Sequence, residues 1–340
     1  MTCPGCEAWR TGITLKVPHS DAEGVRRSLA SARSVQWLDA TSVLMPPDVF
    51  VARAAYWQAF FDTHAWRVEW GGPDGADGTD RPFDAFVGGL PSLWVDELLA
   101  RRAIRMAMQP IVDLTKRTVV ACEMLVRATA SDGSFISPHA LFEAAREQSR
   151  LFALDRACRI EAIATASRLP ADWDVFVNFV PTAIYVPEHC LQSTFAAAER
   201  HAVHPSRLVF EVVETERVDD VAHLRDILAF YRRKGVRYAL DDFGEGYSDE
   251  HMLRAISPDV VKLDRQFVDH VDRDPAKRRV AEGLARVARS LDIRLLAEGV
   301  ERPEEAMALL ELGYEWQQGY LYARPSLEVP DGSIAWLPRA

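Results

Sequence analysis

The sequence predicts an α/β protein: a modified (β/α)8, TIM-like barrel with one antiparallel strand, preceded by a small α+β N-terminal module. Three observations predict it. From Ala107 onward short apolar runs alternate with amphipathic stretches, the pattern of a parallel sheet with helices outside it. The number of these units suits a closed barrel better than an open sheet. Finally, Glu123, Glu211, Asp241, Asp242 and Glu298 each stand where an apolar run stops, on the rim where such barrels carry reactive groups.

Residues 1–100 are expected to form the N-terminal module, a regulatory or dimerisation unit. Helical character covers Asp21–Ala32 and, with an aromatic face, Ala52–His64. Arg67–Trp70 and Phe83–Val87 read as short strands, and Gly71–Arg81 (GGPDGADGTDR) as a loop rich in Gly and Asp. Ser92–Arg102 is a connecting helix opened by a Ser cap.

Residues 101–335 are expected to form the barrel. Its strands are placed at Met108–Val112, Val119–Leu125, Val175–Phe179, Leu208–Val213, Arg237–Leu240, Val260–Leu263, Ile293–Ala297 and near Trp316. Amphipathic helices fill Pro138–Gln148, Phe152–Arg168, Val221–Lys234, Ala276–Leu291 and Pro303–Leu312. The segment Asp113–Arg117 is too short for a crossover helix. The first two strands therefore form a hairpin, which makes at least one strand antiparallel.

Composition narrows the function. With 340 residues and 48% hydrophobic content, the chain can bury a sizeable core. A formal net charge of −10 argues against a nucleic-acid polymer as partner, since that needs a basic surface. The five cysteines form no regular framework, which points to a reducing compartment. No run of eighteen apolar residues or signal-like N-terminus occurs, so the expectation is a cytoplasmic protein without a membrane partner. Cys3 and Cys6 make a lone C-x-x-C, open between a metal pair, a redox pair and simple tail thiols.

The carboxylates carry the chemistry. Close like charges cannot all ionise unless a cation draws them together. A divalent metal site is the economical explanation, and with it chemistry on a phosphate ester. Asn178 and Lys262 occupy strand ends of the same kind. Taken singly, each residue has a plainer explanation. A strand-end Glu is usually solvated, Asp-Asp before Phe-Gly reads as a turn, Lys262 as a surface charge, and Asn178 as a turn residue. Arg127 would serve equally in a structural ion pair, and Glu214 and Glu301 as helix caps.

Their order removes that explanation for the set, and leaves it strongest for Glu214, Glu301 and Gln318. Glu123-Met124-Leu125-Val126-Arg127 matches E-x-L-x-R, Val177–Pro181 matches V-N-x-S-P, and Glu211-Val212-Val213-Glu214 matches E-I-T-E. Asp241–Ser248 resembles D-D-F-G-T-G-Y-S, Asp259–Asp264 resembles D-x-x-K-I-D, and Ala297–Glu301 reads A-E-G-V-E. Gln318-Gly319-Tyr320 with Arg324-Pro325 completes the series. In these seven strings the stretch Gln109–Pro325 resembles the EAL domain, the bacterial phosphodiesterase that linearises cyclic di-GMP.

The resemblance implies a metal-dependent phosphodiesterase that opens cyclic di-GMP to linear pGpG by two-metal activation of water. Glu123, Asn178, Glu211 and Asp241 would hold one ion, and Asp241, Asp242 and Glu298 the second. Two Mg2+ or Mn2+ ions per active site suit these oxygen ligands. Lys262, Glu298 and Glu123 would be catalytic, with Lys262 near the attacking water and the phosphate. Arg127 and Gln318 would bind substrate, and Glu214 and Glu301 would support loops. A homodimer is implied as well. The departures are Met124, Val180, Val213 and above all Glu245, which adds charge after the aspartate pair. They keep a second reading open: a silent EAL domain that acts as a cyclic di-GMP receptor or a protein-interaction module.

Overall fold

Two sheets organise the chain in the computed structural model, which describes residues 12–70, 79–90, 93–213, 221–243, 253–254 and 256–337. Two compact units result. The first holds the described residues up to Ala103 together with Thr129–Ala157 and Ala183–Cys190. The second holds Ile104–Ala128, Cys158–Thr182 and the described residues from Leu191 onward.

In the first unit, β1 (Ile13–Lys16), β2 (Gln36–Trp37), β3 (Ser42–Met45), β4 (Arg67–Trp70) and β5 (Thr79–Pro82) form an antiparallel sheet in the order β2-β3-β1-β4-β5. Period-two alternation buries Ile13 and Leu15 of the central strand. A helix over Pro47–Phe60 begins with Pro at its first turn, where the missing N–H costs nothing. Phe50, Ala54 and Trp57 recur at helical spacing and are buried. The Trp57 indole donates to Ser28 Oγ at 2.9 Å, and that of Trp66 to Asp21 Oδ2 at 2.8 Å, so neither buried ring strands its N–H.

One element differs from expectation. Phe83–Val87 is not a strand but the body of a helix over Phe83–Gly88. The strand lies just before it, at Thr79–Pro82, and ends at a proline that an edge position tolerates. Phe83 and Phe86 then fall three apart, a helical period. Phe83 is fully buried against the rings of Phe50, Trp57 and Trp66. The helix expected over Ser92–Arg102 spans Trp94–Ala100 with Leu93 at its cap position, and Ser92 lies outside the described residues. Cys3 and Cys6 lie outside them too.

The second unit is the barrel. Its strands are β6 (Ile104–Asp113), β7 (Thr118–Thr129), β9 (Asp174–Phe179), β10 (Leu208–Val213), β11 (Arg237–Phe243), β12 (Val260–Leu263), β13 (Arg294–Ala297) and β14 (Trp316–Gln317); a two-residue β8 (Phe135–Ile136) belongs to the first unit. The order is β6-β14-β13-β12-β11-β10-β9-β7, and pairing of β6 with β7 closes the ring. β6 runs antiparallel to both of its neighbours, while the other described pairings in the ring are parallel. The short 113–117 connection therefore forms the expected hairpin. One buried residue from each of the eight strands enters a single core cluster: Ile111, Ala121, Phe176, Val209, Ala239, Val260, Leu296 and Trp316. Two large rings, Phe176 and Trp316, meet at 6.3 Å between centroids. Small Ala121 and Ala239 leave them room, so the barrel is packed rather than hollow.

A buried carboxylate fixes the turn after β13. Glu305, 1% exposed, accepts from the backbone N–H of His270 (2.9 Å), Glu301 (3.1 Å) and Arg302 (3.1 Å), and from Arg302 Nε (2.9 Å). Burial works to raise its pKa, but these donors outweigh it and hold the carboxyl below its ordinary value. Its stabilisation is therefore present at neutral pH and is lost as pH falls through the lowered pKa. Glu305→Ala strands three backbone donors and is expected to cost about 2–4 kcal/mol in urea denaturation at neutral pH. The gap to wild type should narrow in acid; an unchanged midpoint at neutral pH would contradict this account.

Candidate active site

A lysine lies at the centre of the carboxylates. All four residues of β12 are buried, and Lys262 among them is 0% exposed. Its Nζ is ion-paired to Glu211 Oε1 and Glu298 Oε1, lies 3.2 Å from Asp241 Oδ2, and lies 3.9 Å from Glu123 Oε1. Parallel pairing brings these together: Glu211 on β10 stands opposite Asn178 on β9, and Lys262 opposite Leu296, two residues before Glu298.

Glu123 is held by two amides. Asn178 Nδ2 donates to its Oε1 at 3.1 Å and Gln318 Nε2 to its Oε2 at 2.7 Å. Desolvation opposes its charge, but Lys262 and these amides win, and its pKa lies below the ordinary value. Glu211 and Glu298 go the other way. Burial raises both well above the carboxylate range, Glu211 further through Glu123 and Glu298 further through Asp241. Lys262 loses hydration to burial, yet the surrounding carboxylates, Asp241 foremost, push its pKa well above the ordinary value. The ammonium stays charged.

One ammonium faces four carboxyl groups, too little positive charge for all four to ionise, and so Glu211 and Glu298 resist losing their protons. Glu211 is fully buried, and its Oε1 is ion-paired to Lys262. One carboxylate oxygen each from Glu211, Asp241 and Glu298 lies within 4.8 Å of the others. A close set of carboxylate oxygen donors, short of positive charge, fits a hard divalent cation and does not resemble a Cys/His zinc site.

A cavity of about 210 Å³ adjoins the cluster, lined by Gln109, Glu123, Arg265, Glu298, Gln318 and Tyr320 among others. Sequence reasoning assigned no role to Gln109, Arg265 or Tyr320. Gln109 stands opposite Glu123 in the β6–β7 register, a pairing visible only once the hairpin register is known. Tyr320 is 46% exposed, and its ring carries the Arg324 guanidinium at 4.2 Å. Glu301 binds Arg265 Nη2 at 2.7 Å on the same cavity wall.

Three placements differ from expectation. Glu123 is not at a strand end: β7 continues six residues past it to Thr129, because β6 begins at Ile104 and extends the hairpin. Arg127 consequently lies within β7, with Nη1 donating to the Val126 carbonyl at 2.8 Å. Asp241 and Asp242 are followed by Phe243 in β11, and the register with β12 shifts between Leu240 and Phe243. The Asp242 side chain, Glu214 and Glu245 lie outside the described residues.

Comparison with known proteins identifies the family of the chain. The EAL domain family model matches residues 93–325. A probable cyclic di-GMP phosphodiesterase, PdeG of Escherichia coli K12, is 31% identical over 241 residues, covering 67% of this chain and 47% of that protein. The chain thus spans about half the length of this relative. A standalone EAL protein from Vibrio cholerae O395, solved with cyclic di-GMP bound, is 32% identical with a TM-score of 0.61, over 68% of this chain and 95% of that one. Klebsiella pneumoniae BlrP1 is similar in fold across 95% of this chain and 98% of its own, at TM-score 0.62 and 22% identity.

Proposed function

The chain belongs to the EAL domain family, and on that premise we propose that it is a metal-dependent phosphodiesterase hydrolysing cyclic di-GMP to linear pGpG. The observation that carries this reading is the cluster of Glu123, Glu211, Asp241 and Glu298 around the buried Lys262, beside a cavity. The relatives support the substrate: the Vibrio cholerae protein was solved with cyclic di-GMP bound.

Glu123, Asn178, Glu211 and Asp241 would hold one Mg2+ or Mn2+, and Asp241, Asp242 and Glu298 a second. When bound, such ions would supply a water of lowered pKa and charge to offset the phosphate. Hydrolysis would put the water oxygen on phosphorus and break the ester bond to the ribose oxygen, which takes up a proton as the water gives one up. Lys262 keeps one positive charge fixed beside the reacting groups in a dry site, where it counts for most. Gln318 and Asn178 hold Glu123 in one orientation, so the carboxylate is set before substrate arrives. Gln318 and Arg127 would contact the substrate, and Glu301, through Arg265, would brace the cavity wall. Glu214 supports its loop in the same reading.

Among the described residues no helix is long and apolar enough to cross a membrane, consistent with a substrate met in aqueous solution. A homodimer in the cytoplasm completes the reading and is checked by sedimentation equilibrium. The enzyme itself is tested by hydrolysis assays with Mg2+ or Mn2+ beside Glu123→Ala. Turnover by the wild type and a fall of about 10³-fold or more in the variant is expected, since a group that places both metal and water is lost. Tight binding of cyclic di-GMP without turnover in the wild type would assign the receptor function instead.

A further inference from the structure

The first unit contains a short stretch that follows directly from the barrel strand carrying Asn178. Residues Ala183–Cys190 pack in that unit, five residues downstream of Asn178. The helix Pro47–Phe60 grips them. The Arg53 guanidinium lies 3.6 Å over the Tyr185 ring, and the Tyr185 hydroxyl donates to the Ala52 carbonyl at 3.2 Å. The Tyr56 hydroxyl and His189 Nδ1 share a hydrogen bond of 3.0 Å. Tyr56 is 0% exposed and meets Tyr185 and Phe152 edge-on at 5.5 and 5.6 Å. Outside this aromatic contact, Arg27 pairs with Glu188 at 3.0 Å.

What lies between the grip and the site is stiff. Between Asn178 and Ala183 the chain has one proline, Pro181, and no glycine. Pro181 fixes its own φ and restricts Val180 before it. Phe179, Val180, Ala183 and Ile184 are all buried. A displacement imposed on residues 183–190 has no loose segment in which to dissipate before it reaches β9.

We propose that Tyr56 and Arg53 are positioning residues: they fix the chain leaving β9, and through it the Asn178 amide that holds Glu123. A signal received by the N-terminal unit would then act on the metal centre by loosening or tightening this grip. The significance of Asn178 rests on the phosphodiesterase reading above, whereas the mechanical link does not.

The test uses the full chain and two variants. Arg53→Ala removes the cation from the Tyr185 ring; Tyr56→Phe removes only the hydroxyl and keeps the packing, so it should fold. Hydrogen exchange followed by mass spectrometry reads residues 174–182 and 183–190 separately, and electron paramagnetic resonance of free Mn2+ reads metal affinity. The expected result is exchange about 3- to 10-fold faster in both segments, the loss of one buried polar contact. Mn2+ binding should weaken by a similar factor, and Tyr56→Phe should add nothing in an Asn178→Ala background. Faster exchange confined to 183–190, or unchanged Mn2+ affinity with faster exchange throughout, would overturn the proposal. A wild type that binds no Mn2+ overturns the metal reading instead, and the exchange at 174–182 then decides the link alone.

Discussion

Lys262→Met is expected to lower cyclic di-GMP turnover by about 10³-fold or more and to make the fold dependent on divalent metal. In the wild type the ammonium is ion-paired with Glu211, Asp241 and Glu298 together. Removing one partner of a buried ion pair typically costs about 3–5 kcal/mol, because the other charge is left uncompensated. Here three carboxylates lose their common partner, and some relieve the strain by taking up protons. In EDTA the variant should therefore unfold at lower urea than wild type, by a margin that shrinks as pH falls. Mn2+ should restore much of the loss, since the cation takes over the role of counter-charge and stabilises the state that binds it. A purely structural lysine would lose the same stability, but added Mn2+ would not return it.

Gly319→Ala should be nearly as damaging, for a geometric reason. A Cβ on Gly319 would stand 2.0 Å from the carbonyl oxygen of Val300 and 2.3 Å from its nitrogen, and both are backbone atoms. They cannot swing aside as a side-chain tip can. Val300 also donates to the Gln318 carbonyl at 3.0 Å and accepts from the Leu321 N–H at 3.0 Å, so relief must break this pairing. Gln318 moves with it, and the 2.7 Å bond to Glu123 is lost. We expect about 2–4 kcal/mol of destabilisation, within the range for overpacking against fixed groups. Turnover should fall by at least about 10²-fold, as a misplaced carboxylate no longer sets the site. Thermal denaturation and initial rates on the same preparation check both. Near-wild-type stability in the alanine variant would contradict the close approach.

Much of the barrel was legible in the sequence because its strands are short apolar runs between unmistakably amphipathic helices. Leu208–Val213 and Val260–Leu263 fall where the pattern places them. The hairpin was legible too, from a connection too short to hold a helix. Phe83–Val87 was not, because a five-residue segment with three large apolar residues satisfies both periods until the preceding strand is seen to end at Pro82. Glu123 looked like a strand end because its run was judged by hydrophobicity. The antiparallel partner β6 instead carries the pairing on through Ala128.

The candidate site shows the same division. Carboxylates, Asn178 and Lys262 announce themselves by type and order. Lys262 as the hub of four ion pairs does not, since nothing local says that residues from four other strands and strand exits converge on it. Gln318 reads as a substrate contact, yet it also holds a carboxylate 195 residues away in sequence. The contact of Tyr56 with His189, 133 residues apart, is likewise a product of folding that no spacing rule anticipates.

The central claim is that the carboxylates around Lys262 bind divalent metal, and anomalous diffraction tests it most directly. Crystals grown with Mn2+ and recorded above and below the manganese edge should show anomalous density among Glu123, Asn178, Glu211 and Asp241, with a second peak toward Glu298. A well-ordered structure at saturating Mn2+ with no anomalous density there, and with Lys262 still bridging Glu211 and Glu298, would contradict it.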